Sequence, residues 1–230
     1  MGAGREGFRR PRRVSMQWEL DHVFFAATDA DAAEEVLAEF GIAFTDHRVH
    51  HGQGTANACA LFENAYFELL WPQDPAELLS DRVRPLGLDE RMRWRETGAS
   101  PFGLCFRGDA RSLPFETWTY DAAYLAKGAG IPIVTRPGLH PDPLVFLSSQ
   151  ARRSTEGTPE HRGIRRTLTR VIVQRAACDT PVSAGVRWFA ENGFFALKDG
   201  PTHRLDLEWD HGREGTSQDF SPDFPIRIRW

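Results

Sequence analysis

Two side chains stand out for the chemistry they could do. His22 lies in the run Leu20-Asp21-His22-Val23-Phe24-Phe25, and Glu68 in Ala65-Tyr66-Phe67-Glu68-Leu69-Leu70-Trp71. An imidazole nitrogen and a carboxylate oxygen are ligands that borderline and hard divalent cations accept. Both runs read as short strands, and apolar neighbours would wall each side chain into an interior. A buried carboxylate is costly unless it has a partner, so a cation between the two is one reading and a His–Glu hydrogen bond is the other. The turn His50-His51-Gly52-Gln53-Gly54-Thr55 offers two further imidazoles. With His51, the pair would become a two-histidine, one-carboxylate set with open positions, suited to Fe(II), Mn(II) or Zn(II); the competing reading has His51 hydrogen-bonded within its own turn. Glu68 is also the candidate catalytic group for moving a proton.

Other residues admit competing accounts. Arg170 and Arg227, if they point inward, would bind a carboxylate or phosphate through paired hydrogen bonds; alternatively they pair with Glu68 or face solvent. Phe115, Trp118, Tyr120 and Tyr124 cluster in a Pro/Gly-rich stretch. They either pack as a loop cap or line an apolar pocket, which makes Trp118 and Tyr120 candidate substrate contacts. His203 and Glu208 are separated by an odd step, which puts them on opposite faces of a regular strand and argues against a shared cation. Gly52-Gln53-Gly54 lacks the lysine of a phosphate loop. No serine sits in a nucleophile elbow, and Cys105 reads as packing.

The elements that would position these groups follow a readable order. Trp18–Ala27 is a strand rich in Val and Phe, Thr28-Asp29 an N-cap, and Ala30–Phe40 a helix stopped by Gly41. Phe44–His50, Thr55–Phe62 and Ala65–Trp71 complete a βαβββ order. The far end repeats it with Leu168–Arg175, the helix Ser183–Glu191, and strands at Phe194–Lys198, His203–Trp209 and Pro225–Trp230. In that alignment Leu20–Phe24 matches Leu168–Ile172, and Phe67–Trp71 matches Ile226–Trp230. Strands Phe102–Arg107 and Leu144–Ser148 belong to a middle unit in which a loop replaces the helix. The expected division is a disordered tail at 1–15, a first module with a helical connector at 16–98, a degenerate middle module at 99–163 and a C-terminal βαβββ module at 164–230. The mobile linker is expected at 150–163.

Leu20-Asp21-His22-Val23, the helix after it, the turn His51-Gly52-Gln53-Gly54-Thr55-Ala56-Asn57 and Tyr66-Phe67-Glu68-Leu69-Leu70 together resemble the glyoxalase-like branch of the vicinal oxygen chelate superfamily. The resemblance is good from about Trp18 to Trp71 and diffuse beyond. It implies an α+β fold of repeated βαβββ modules whose mixed sheets curl round a cavity. It also implies one divalent metal (Zn, Mn, Fe or Ni), held by a His from the first strand and a Glu from the last strand of each of two modules. The activities it implies are of lyase, isomerase or dioxygenase type on a small molecule with vicinal oxygens. His22 and Glu68 fall on the first module's ligand positions. The chain departs from the pattern at the second pair, with Arg170 and Arg227 in the last module and Leu104 and roughly Phe146 in the middle one. Arginine stays protonated and has no lone pair to offer. The resemblance therefore supports half a site. It leaves open a metal-dependent enzyme, a metal-free protein binding a small molecule or anion, and a homodimer that completes the site.

Bulk composition narrows the partners. The 230 residues carry 28 basic and 32 acidic side chains, a formal charge of -4, which gives no electrostatic case for nucleic acid or an anionic membrane. Lys127 and Lys198 are the only lysines, an arginine bias that reads as the codon usage of a GC-rich genome. Cys59, Cys105 and Cys178 show no CxxC spacing, so neither a disulfide framework nor cysteine-rich zinc is expected. The expected setting is a reducing cytoplasm, with no secretory signal in the basic N-terminus and no run of transmembrane length.

Overall fold

The computed structural model describes residues 18–138, 140–148, 160–161 and 167–230. The expected tail at 1–15 and nearly all of the linker at 150–163 lie outside the described residues.

The first strand, β1 (Glu19–Ala26), leads into α1 (Ala30–Glu39). Asp29 caps that helix by accepting the Ala32 N–H, and Gly41 leaves it at a φ of 95°. Three strands follow: β2 (Arg48–His50), β3 (Thr55–Leu61) and β4 (Tyr66–Pro72). The last returns beside β1 in parallel, with His22 opposite Tyr66 and Phe24 opposite Glu68. Short helices α2 (Pro75–Leu78), α3 (Leu88–Met92) and α4 (Trp94–Thr97) make the connector. Then come β5 (Phe102–Arg107), β6 (Trp118–Tyr120), β7 (Ile131–Ile133) and β8 (Leu144–Ser148). A single 3-10 turn at Ala110–Ser112 stands between β5 and β6, where the first module has a helix. These strands form one eight-stranded sheet in the order β2-β3-β4-β1-β5-β8-β7-β6. Its two edges meet: Tyr124, between β6 and β7, stacks on His50 of β2 with ring centroids 4.8 Å apart.

The second sheet holds β9 (Leu168–Ala176), β10 (Ala196–Gly200), β11 (Arg204–Trp209), β12 (Ser217–Asp219) and β13 (Ile226–Arg229), with α5 (Ala184–Glu191) linking its first two strands. Its order, β10-β9-β11-β13-β12, corrects the expected internal alignment. Ile226–Trp230 is not the counterpart of Phe67–Trp71: β13 runs parallel to β11, while the parallel neighbour of β9 is β10. The alternation in Ile226-Arg227-Ile228-Arg229 reports a half-buried strand and says nothing about its neighbour. What does repeat is the antiparallel junction at the centre of each sheet. The β1–β5 register skips Asp21 between Leu20 and His22, and the β9–β11 register skips Thr169 between Leu168 and Arg170.

The core lies between the sheets. Val23, Phe25, Phe67, Leu69, Leu104 and Phe106 pack from the first against Val171, Val173, Leu205, Leu207, Ile226 and Ile228 of the second, with Leu37 of α1 and Phe189 of α5 in the same cluster. Strand alternation then sends Phe24, Ala26 and Leu70 to the opposite face of the first sheet, where Val83, Leu86, Leu88 and Met92 of the connector cover them. Gly103 makes room there, since a Cβ would collide with the Phe24 ring. Arg91 pins the connector: fully buried, it donates to the carbonyls of Leu86, Ser100 and Asp142. The Asp142 carboxylate in turn accepts from Arg175 of β9 and from the Ser183 N–H. No helix among the described residues is long and apolar enough to cross a membrane.

Candidate functional site

The face of the first sheet turned away from the core encloses a cavity of about 200 Å³, lined from both of its halves. The bulge in β1 decides what its floor presents. In a regular strand Asp21 and His22 would face opposite ways; with Asp21 skipped by β5, both line the cavity. Asp21 Oδ1 lies 2.8 Å from His22 Nδ1. The other ring nitrogen, Nε2, lies 3.3 Å from Glu68 Oε2. Both His22 and Glu68 are buried, at 7% and 6% exposure. The imidazole is clamped in plane by Tyr66, stacked at 4.3 Å, and by the edge of Phe146 at 5.3 Å.

Partners behind the pair orient both groups. Asn57 of β3 donates its side-chain amide to Glu68 Oε1, which leaves Oε2 turned towards the imidazole. Arg107 of β5 pairs with the outer oxygen of Asp21 and reaches Glu19 at 3.3 Å. Burial alone would push the Asp21 carboxyl up; His22 and Arg107 outweigh it and hold it below the usual carboxylate range. Cys105 stands opposite His22 across the β1–β5 pair. Its thiol is pushed well up by burial, with the Asp21 and Glu68 carboxylates adding to the effect. Asp21, His22 and Cys105 each bring a ligand-capable atom within 4.8 Å of the others.

The structure brings together some of the residues singled out from sequence and separates others. His22 and Glu68 meet, and Tyr120 stands on the wall of the same cavity. His51 does not join them: it is exposed, while its neighbour His50 turns inward, 3.1 Å from Thr55 Oγ1. Glu77 fixes that turn by accepting from the Gly52 and Gly54 N–H groups. Trp118 is half-buried, donates its indole N–H to the Thr135 carbonyl at 2.9 Å, and lies outside the cavity lining. Arg170 is exposed and Arg227 pairs with Asp206 at 2.9 Å; both belong to the second sheet, beyond the shared core, so neither reaches Glu68 or the cavity. In the middle unit Leu104 faces the core, and Cys105 takes the position facing the site. Sequence reasoning passed over Asp21 and Asn57 and read Cys105 as packing. Asn57 carried a signal, a lone amide in the small-residue strand Thr55-Ala56-Asn57-Ala58-Cys59-Ala60. Asp21 carried none, because only the bulge brings it to the site.

The separation of His22 and Glu68 suits two donors on one cation. Bonds of about 2.0–2.2 Å at angles near tetrahedral or octahedral place adjacent donor atoms about 3.0–3.5 Å apart. The carboxylate behind Nδ1 and the amide behind Oε1 are the kind of outer partners that fix a ligand's tautomer and direction.

Residues 20–113 match the family model of a glyoxalase-like domain, a segment that includes Asp21, His22, Asn57, Glu68 and Cys105. None of the curated proteins matches the chain. Among solved structures, a hypothetical protein from Staphylococcus aureus is similar at 10% identity and a TM-score of 0.55, over 92% of this chain and 99% of that one. Methylmalonyl-CoA epimerase from Mycobacterium tuberculosis shows 16% identity over 56% of this chain and 85% of that one, with a TM-score of 0.35. A xylose isomerase-like TIM barrel/4-hydroxyphenylpyruvate dioxygenase fusion protein shows 11% identity over 85% of this chain and 38% of that one, with a TM-score of 0.45. Over residues 20–113, then, this chain is similar to a glyoxalase-like domain.

Proposed function

We propose that the chain is a divalent-metal-dependent enzyme, of lyase, isomerase or dioxygenase type, acting on a small molecule with two adjacent oxygens. One observation carries this reading: His22 Nε2 and Glu68 Oε2 face each other at 3.3 Å, with Asp21 and Asn57 fixing them from behind. His22 Nε2 and Glu68 Oε2 would hold the ion. A bound cation supplies polarisation of neighbouring substrate oxygens and a lowered pKa for a proton on or beside them.

The chain's own groups would do the rest. Asp21 keeps the Nδ1 proton and so leaves Nε2 with its lone pair towards the cavity. Asn57 occupies Oε1, which leaves Oε2 as the Glu68 atom turned towards the ion. Tyr66 and Phe146 shield the imidazole from water. The cavity's volume, about 200 Å³, falls below the ~300–1,000 Å³ usual for drug-sized ligands, and so selects a compact substrate. Elemental analysis after native purification tests the reading. One ion of Zn, Mn, Fe or Ni per chain, lost in His22→Ala, is the expected result; protein that arrives metal-free and takes up none of the four contradicts it.

The contacts already in place favour a second reading. Asp21 is already partnered by His22 and Arg107, and Glu68 by His22 and Asn57, so the pair can stand without a further cation. The chain would then be a metal-free small-molecule binder. Thermal stabilisation by small uncharged molecules such as ketones or esters, without stabilisation by any of the four metals, would support it.

A further inference from the structure

The cavity has a second polar feature, away from the His22–Glu68 pair. Tyr120 lines it at 2% exposure, and its hydroxyl is buried with no hydrogen-bond partner among the described residues. Most other polar side chains lining the cavity are engaged. Asp21, His22, Asn57 and Glu68 bond one another, and His50 and Gln53 both reach Thr55 Oγ1. Buried hydroxyls are almost always paired, so an orphaned one in a cavity wall is free to take a ligand atom as its partner. Burial pushes the phenol up to about 12, with Arg82 pulling the other way and Asp121 and Glu77 adding to the rise, so Tyr120 offers a proton at any ordinary pH.

The surroundings of Tyr120 decide what kind of acceptor fits. Leu86, Leu88, Ile131, Ile133 and Leu144 share its part of the cavity lining and its apolar cluster. Arg82, the cation that acts on Tyr120, is exposed and lines the outer loop pocket instead. Arg48 lines the cavity too, but it is exposed and acts on Tyr124 rather than on Tyr120, so a carboxylate or phosphate placed at Tyr120 would lose its hydration with no countercharge beside it. A ketone, ester or ether oxygen loses far less.

We propose that the ligand of this cavity is a compact apolar body with two adjacent oxygens at one end and an uncharged acceptor oxygen at the other, the latter received by the Tyr120 hydroxyl. This rests on the function proposed above for His22 and Glu68, which takes the adjacent oxygens.

Two probes matched in heavy-atom count isolate the contact: 3,4-dihydroxyacetophenone, whose acetyl group carries a neutral acceptor, and 4-isopropylcatechol, which has none. Their binding to metal-loaded protein is measured by anaerobic calorimetry for the natural chain and for Tyr120→Phe. The natural chain should bind the acetyl probe about 5–10-fold more tightly, one neutral hydrogen bond's worth. Tyr120→Phe should abolish that preference and change the affinity for 4-isopropylcatechol by less than about twofold, which also shows the variant is folded. Equal binding of the two probes by the natural chain overturns the assignment, as does a preference that survives Tyr120→Phe. If neither catechol binds the natural chain, the function proposed for His22 and Glu68 fails first and takes this inference with it.

Discussion

Asp21→Asn tests whether the groups behind His22 set its behaviour as a ligand. Asp21 makes two contacts, one oxygen 2.8 Å from His22 Nδ1 and the other paired with Arg107. An asparagine keeps an acceptor for the ring N–H but brings an amide donor against the guanidinium and removes a buried negative charge. The imidazole becomes a poorer electron donor and is less firmly held. Loss of such an outer carboxylate typically costs 10–100-fold in metal affinity, or about 1.4–2.7 kcal/mol. Zn²⁺ competition against a chelating dye, run on the natural chain, Asp21→Asn and Arg107→Met, reads this directly. Arg107→Met leaves the Asp21–His22 contact in place, so its loss of affinity should be the smaller of the two. Affinity for Asp21→Asn within twofold of the natural chain would refute the reasoning, whatever Arg107→Met does.

Two further predictions concern the frame that holds the site. Arg91→Met removes a fully buried guanidinium and leaves the carbonyls of Leu86, Ser100 and Asp142 without their donor; it should destabilise the fold by about 3–5 kcal/mol in urea unfolding, and a loss under about 1 kcal/mol would contradict the role given to it. His203 donates through Nε2 to the Gly98 carbonyl and accepts the Ala176 N–H at Nδ1. Burial lowers its pKa, the Gly98 contact opposes this, and Arg91 and Arg175 add to the lowering. The unfolded chain therefore takes up this proton first as pH falls. His203 contributes stability above its unfolded value of about 6.5, and that contribution is lost as pH drops through the folded one. His203→Gln should flatten the stability profile between about pH 7 and 5, leaving a weaker slope from His140, whose pKa burial also lowers; an unchanged profile would contradict the assignment.

What could be read from sequence was what depends on local periodicity. The apolar alternation of β1 and β4, the Asp29 cap and the Gly41 stop fix the leading module, and with it the placement of His22 and Glu68 in neighbouring strands. What could not be read depends on strand pairing. A bulge changes which side chains share a face without changing composition, so Asp21 gave no sign and Cys105 was displaced by Leu104 in the expected register. Arg227 resembled a counterpart of Glu68 because β13 alternates as β4 does, yet its neighbour is β11. Strands of three residues, as at Trp118–Tyr120, Ile131–Ile133 and Ser217–Asp219, are shorter than any period that could announce them. Tyr120 entered as one of a cluster of aromatics; that its buried hydroxyl has no partner among the described residues is visible only once the sheet has closed.

Anomalous diffraction from crystals grown with Zn²⁺ would locate the ion itself. One strong peak per chain is expected, lying about 2.0–2.2 Å from both His22 Nε2 and Glu68 Oε2, and absent in Glu68→Gln. Crystals in which that position stays without a peak while His22 and Glu68 remain 3.3 Å apart would contradict the proposed metal site, and so would a peak bound to His51 or to the second sheet.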